Sequence, residues 1–159
     1  MSDRVAVFND GVIQQIDAPD VLYEQPKNSF VAQFIGENNT LEGVIEDIKD
    51  GVALVKLDNG DVIDAKPVNV SAEGERTRVS IRPERVEFRK DRLKEGAHLL
   101  NAEVLEVIYM GDILRTRLNV AGNTEFIVKT RNAPDQTRLN VGEVIEIGWL
   151  PEDCRALDA

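Results

Sequence analysis

The chain has little of what most catalytic sites are built from. Among its 159 residues there is one cysteine, Cys154, and one histidine, His98. One cysteine excludes an internal disulfide and fits a reducing compartment. One histidine excludes a site that needs two histidine ligands. No glycine is followed by lysine, so the phosphate-cradling pattern G-x-x-x-x-G-K-[ST] is missing. No apolar run approaches the ~18 residues that cross a bilayer as a helix. The start of the chain has no basic stretch leading into an apolar one, so no signal peptide is expected. Basic residues are also scarce, 19 against 29 acidic, for a net charge of −10. Nucleic-acid binders displace counterions with Lys and Arg, so this balance speaks against that class and against an anionic membrane surface. It is compatible with a cationic ligand, although a solvated acidic surface that keeps the protein soluble explains it better.

What is present reads as a soluble, mainly β protein, 42% hydrophobic and 30% charged. Arg4 to Phe8 and Val12 to Ile16 flank Asn9-Asp10-Gly11, a hairpin signal because glycine takes the positive φ of a tight turn. Pro19 opens a short helix that Pro26 ends. Asn28 caps a second helix over Ser29 to Ile35, which Gly36 is expected to close as a left-handed cap. The hairpin's apolar face has no obvious cover, so it should lose order, repack on the β body or pair with another molecule.

Beyond Gly36 the period becomes that of strands. Turn pairs recur at Asp50-Gly51, Asn59-Gly60, Gly111-Asp112 and Gly122-Asn123. Val44–Ile48 with Val52–Leu57 resembles Val104–Ile108 with Ile113–Leu118 at an offset of about 60 residues. Each half closes alike, Ile81-Arg82-Pro83-Glu84 against Leu150-Pro151-Glu152-Asp153, where the offset has grown to about 68. Residues 130–139 supply the longer loop. The expectation is two β units, at about 37–90 and 98–159, of about four or five strands each, sharing or exchanging strands.

Candidate functional residues are few. Arg82, Pro83 and Glu84 follow an apolar strand where proline ends the ladder, and their charges suit a strand terminus or a contact across an interface. Glu152 and Asp153 occupy the matching place in the second copy. Glu46-Asp47 and Glu73 with Glu75 read as solvated surface, since acid–base work needs a pocket. Cys154 lies beside Glu152 and Asp153, which should raise rather than lower its pKa. Asn38-Asn39-Thr40 and Asn69-Val70-Ser71 match the glycosylation pattern by chance. Phe88, Tyr109, Phe126 and Trp149 are too few, and too core-like, for a base-stacking platform.

Met1 to Gly11 resembles the segment that follows the switch-histidine loop in ABC ATPase subunits. Ala18-Pro19 through Leu22-Tyr23 to Gln25-Pro26, then Asn28 to Gly36, is similar to the two helices leading out of that nucleotide-binding domain. Ile81-Arg82-Pro83-Glu84 and its β region resemble the TOBE domain, an OB-like module of importer ATPases. Glu37 to Gly43 and Pro151 to Leu157 are most similar to the spermidine/putrescine branch. The resemblance implies tandem OB-like β-barrel units over residues 37–159, preceded by a hairpin and two short helices over 1–36. It also implies a non-catalytic accessory role, with ATP and magnesium bound by a core whose motifs this chain lacks. The partners would be that core, the importer's membrane subunits and a second copy in a homodimer, on the cytoplasmic side of the membrane. Candidate interface residues are Arg82, Pro83, Glu84, Glu152 and Asp153, with no cofactor or metal of the chain's own. The rival expectations are a sensor of polyamine, sugar or oxyanion, and an oligonucleotide-binding barrel.

Overall fold

The computed structural model describes residues 3–88, 93, 99–132 and 138–159. Among the described residues the chain is mainly β, with two short α-helices. Strands β1 (Val5–Asn9) and β2 (Val12–Asp17) form the expected hairpin. Asp10 and Gly11 both take positive φ, 52° and 75°, the combination a two-residue turn of matching twist requires. Helices α1 (Pro19–Glu24) and α2 (Ser29–Ile35) follow. The Asn28 side chain accepts from the Val31 amide at 3.0 Å, so the expected cap forms. Gly36 is not a left-handed cap: its φ is 178°, ordinary extended backbone, and another group takes its carbonyl. The hairpin rests on the helices rather than on the β body, because Val7 buries against Leu22 and Val31 in a small core of their own.

The β body contains two sheets. Strands β3 (Asn39–Lys49), β4 (Val52–Leu57), β5 (Val62–Pro67) and β6 (Arg76–Ile81) are closed into a barrel by the last strand, β11 (Cys154–Asp158). That strand runs antiparallel to β6 and parallel to β5. Strands β7 (Leu100–Tyr109), β8 (Ile113–Val120), β9 (Asn123–Arg131) and β10 (Val144–Ile147) form an antiparallel sheet in the order β10-β7-β8-β9. The sequence halves therefore do not map one to one onto the sheets, since the end of the second half completes the barrel of the first.

The internal duplication extends to the hydrogen bonds. Both β3 and β7 carry a bulge, between Ile45 and Asp47 and between Val104 and Glu106. Beside each, a Gly-Glu turn is tied to the strand: Ile45 N donates to Glu75 O at 2.8 Å and Val104 N to Glu143 O at 2.9 Å. One-turn 3-10 helices at Pro83–Arg85 and Pro151–Asp153 end the two halves. Past them each chain segment crosses to the other half, Arg155 pairing with Ser80 and Glu87 with Gly148. One continuous apolar core results, running from Leu41, Ile45 and Val79 to Leu118, Phe126, Ile147, Trp149 and Ala156. Gly43 sits where β3 passes closest to β4: an added Cβ would lie 2.4 Å from Lys56 O and 3.0 Å from Leu57 Cα.

Candidate functional site

Two separate apolar cores, one in the hairpin and helices and one in the β body, meet across a polar junction. Arg82 lies at its centre. Its backbone is extended, as a residue before proline prefers, and Pro83 ends the β6 ladder, so the side chain leaves the barrel for the helices. Nε and Nη2 donate to Tyr23 O at 3.2 and 3.1 Å. Nη1 donates to Glu37 O at 2.8 Å and Gly36 O at 3.3 Å. These are carbonyls at the C-terminal ends of α1 and α2, where the backbone presents partial negative charge and lacks helical donors. The guanidinium also lies 4.2 Å from the centre of the Tyr23 ring. Arg82 is only 6% exposed, and burial lowers its pKa, against the raising fields of Tyr23, Glu84 and Glu24.

Charged neighbours surround this fork. The Tyr23 hydroxyl donates to the Glu84 carboxylate. Burial and that bond push the Tyr23 phenol up to about 12. Arg85 pairs with Glu24 at 3.0 Å. Arg82 and Arg85 line a small depression, with Tyr23 and Glu24. Glu152, Asp153 and Arg155 line the same depression. Of the five sequence candidates, Arg82, Pro83 and Glu84 thus sit together beside α1, and Glu152 and Asp153 line the same depression as Arg82. Pro83 is buried and shapes the turn rather than making a polar contact.

Two further ties were not legible in the sequence. At the start of α2, Ser29 N donates to the Asp158 carboxylate at 2.9 Å and Ser29 Oγ to Asp158 O. Asn69 clasps the same residue, donating from Nδ2 at 3.0 Å and accepting from Asp158 N at 2.9 Å. Burial would raise the Asp158 carboxyl, but the bonds from Asn69 and Ser29 hold it below its ordinary value. In the segment after α2, Glu37 receives Lys129 and Arg115, each at 2.9 Å. The Lys129 bond, opposed by partial burial and helped by Arg115, lowers the Glu37 pKa. The buried Asn39 side chain bonds both the N–H and C=O of Ile127, at 2.8 and 2.6 Å, as a neighbouring strand would. Asn123 donates to Thr40 O at 2.9 Å. Residues 36–40 therefore bind the helices, the barrel and the second sheet to one another.

The other candidates fall elsewhere. Cys154 is fully buried, and burial is the main cause that drives its thiol pKa far up, with Asp64 and Asp153 adding to it. The acidic neighbours named from sequence are thus the lesser reason for its inertness. Phe126 and Trp149 stack on each other at 6.2 Å inside the core, Phe88 is half-buried, and Tyr109 is exposed. His98 lies outside the described residues. Among the described residues no cluster of three or more His, Cys, Asp or Glu could hold a metal ion, and no helix is long and apolar enough to cross a membrane.

Known proteins resemble the chain in sequence and in fold. Residues 79–157 match the family model of the TOBE domain. The chain is 36% identical over 143 residues to a spermidine/putrescine import ATP-binding protein of Pseudomonas fluorescens, covering 89% of this chain and 38% of that protein. It is 33% identical over 159 residues to the protein of the same description from Rubrobacter xylanophilus, covering 99% of this chain and 41% of that one. It thus spans about two fifths of the length of these relatives. In fold it is similar to the cytoplasmic molybdate-binding protein ModG, with a TM-score of 0.64 over 76% of this chain and 96% of that one, at 15% identity. Residues 79–157 therefore belong to the TOBE domain family, within a chain that matches spermidine/putrescine import ATP-binding proteins along nearly its whole length.

Proposed function

We propose that this chain is the accessory, regulatory region of the ATP-binding subunit of a spermidine/putrescine-type ABC importer. The observation that carries the reading is the match along nearly the whole chain to subunits of that description, of which it spans about two fifths. In this reading ATP and magnesium belong to the remainder of such a subunit, and this region performs no chemistry. It works at the inner face of the membrane beside the importer's membrane subunits and pairs with a second copy. The hairpin supplies the docking face. Phe8, Val12, Ile13 and Ile16 are 56, 61, 47 and 39% exposed, and Phe34 of α2 is 65% exposed. Aromatic and branched side chains grouped on one small module mark an interaction surface. The Arg82 fork would then hold the docked helices to the barrel.

The test is to mix the chain with the ATP-binding portion of the Pseudomonas fluorescens relative, cut before the matched region, and measure association by sedimentation. We expect a 1:1 complex that F8S/I13S abolishes while leaving the chain's own melting temperature unchanged. Absence of a complex with the unaltered chain, while the partner still binds ATP, would overturn the docking. A solute sensor is the second reading, favoured by the acidic balance, which suits a polycation. Calorimetry with spermidine decides it, and no heat at millimolar ligand removes it. The same acidity opposes an oxyanion ligand. An oligonucleotide role is disfavoured further because Phe126 and Trp149 are committed to the core.

A further inference from the structure

The two halves of the duplication differ at one hairpin. When the β3 and β7 bulges are aligned, the Lys49–Val52 tip of the first half falls on Ile108–Arg115 of the second, so the β7–β8 tip is four residues longer. The first tip holds two charged residues, Lys49 and Asp50, with Gly51 and a partly exposed Val52. The second is mostly apolar and equally exposed: Ile108, Tyr109, Met110 and Ile113 are 39, 62, 56 and 38% exposed. The first half closes its hairpin without this extension, so the added apolar length is not needed to build the turn.

The exposed surface of these four side chains is on the order of 400 Å². One side of a standard interface buries ~800 Å², of which about 56–58% is apolar, so the tip matches the apolar share of one such side. Two exposed charges of opposite sign flank it. Asp112 lies in the turn, and Arg131, the register partner of Ile113, stands beside it on β9. Among the described residues neither takes an ion pair or side-chain hydrogen bond. A twofold contact brings the same patch of two copies together, each residue meeting its complement. An apolar centre flanked by one acid and one base is self-complementary, and it lets a chain of net charge −10 meet itself without juxtaposing like charges.

We propose that the β7–β8 tip is the surface through which two copies of this chain pair, Ile108, Tyr109, Met110 and Ile113 packing on the same residues across a twofold axis, with Asp112 facing the partner's Arg131. This rests on the pairing included in the proposed function and assigns it a surface.

Charge exchange tests it. The chain, D112R, R131D and a 1:1 mixture of the two variants are followed by sedimentation equilibrium from micromolar to millimolar concentration. In D112R homodimers the new arginine meets the partner's Arg131, and in R131D homodimers the new aspartate meets the partner's Asp112. Each variant alone should dimerise about tenfold more weakly, because a twofold contact carries every change twice. In the mixture the new arginine of one variant faces the new aspartate of the other on one side, and the original pair survives on the other. The mixture should regain the dimerisation of the unaltered chain. Y109S/M110S should weaken pairing in every combination. Unchanged melting temperatures guard against misfolding at these exposed positions. A dimer indifferent to all of these changes overturns this surface and leaves pairing standing. A chain monomeric at millimolar concentration overturns both, without touching the hairpin docking, which has its own assay.

Discussion

Replacing Arg82 by methionine keeps most of the side chain's packing length and removes the fork. The loss can be worked from its contacts. Hydrogen bonds from a charged donor contribute about 1.5–3 kcal/mol net, and those of Arg82 converge on the Tyr23, Gly36 and Glu37 carbonyls. The Tyr23 stack adds about 0.5–2 kcal/mol. The gain from no longer burying a guanidinium offsets part of this, leaving a deficit of about 3 kcal/mol. The deficit falls on the docking of the helices, because their core is separate from that of the β body. Two probes divide the molecule accordingly. The only tryptophan, Trp149, reports the β core. The amides of Leu22, Gln25 and Ala32, bonded within the helices, report the helices. In R82M the opening free energy of those amides, measured by hydrogen exchange, should fall by about 3 kcal/mol, while the Trp149 unfolding transition moves much less. R82K should fall between, because a compact ammonium cannot span carbonyls from two helices. Helix amides in R82M that exchange as in the unaltered chain would refute the reasoning. So would a loss shared equally by both probes.

Three other outcomes are expected. Gly43→Ala forces β3 away from Lys56 and should cost about 1–3 kcal/mol, read as a lower melting temperature followed at Trp149. Acid should loosen the helices before the barrel. Glu37 and Asp158 both have folded pKa values below their ordinary 4.5 and 3.8, so the stability they contribute is present above those values and lost as pH falls through the lowered ones. Hydrogen exchange between about pH 5 and pH 2 should show helix opening ahead of any Trp149 change, and E37Q/D158N should flatten that dependence. The sites are partly exposed, so salt should reduce the Glu37 contribution. Finally, T77V removes the buried bond from Thr77 Oγ1 to Leu157 O and leaves that carbonyl short of a donor; a loss of about 1–2 kcal/mol on the barrel transition, with no change at the helices, is the expected result.

Local signals in the sequence were reliable because they rest on local physics. The Asp10-Gly11 turn, the Pro19 start and the Asn28 cap each depend on neighbours within a few residues, and all three stand in the structure. The duplication was visible because both halves repeat the same strand and turn chemistry. Gly36 misled for an instructive reason: a glycine after a helix suggests a left-handed cap, yet the open carbonyl is met by Arg82, far along the chain. The junction was only half legible. Arg82 and Glu84 stood out as charges at the end of an apolar strand. Their partner Tyr23 looked like an ordinary helix residue. Asp158 gave no signal at all, since Ser29 lies 129 positions away and only closure of the barrel by β11 joins them. The assignment of β11 to the first barrel could not come from periodicity, because strands of either unit carry the same alternation.

The most direct measurement is transport by a chimera. The matching part of the Pseudomonas fluorescens spermidine/putrescine import ATP-binding protein is replaced by this chain, and spermidine uptake is measured in cells lacking the native subunit. The account expects uptake to be restored, and to be lost again when F8S/I13S is introduced. A chimera that folds and binds ATP but imports no spermidine would contradict it.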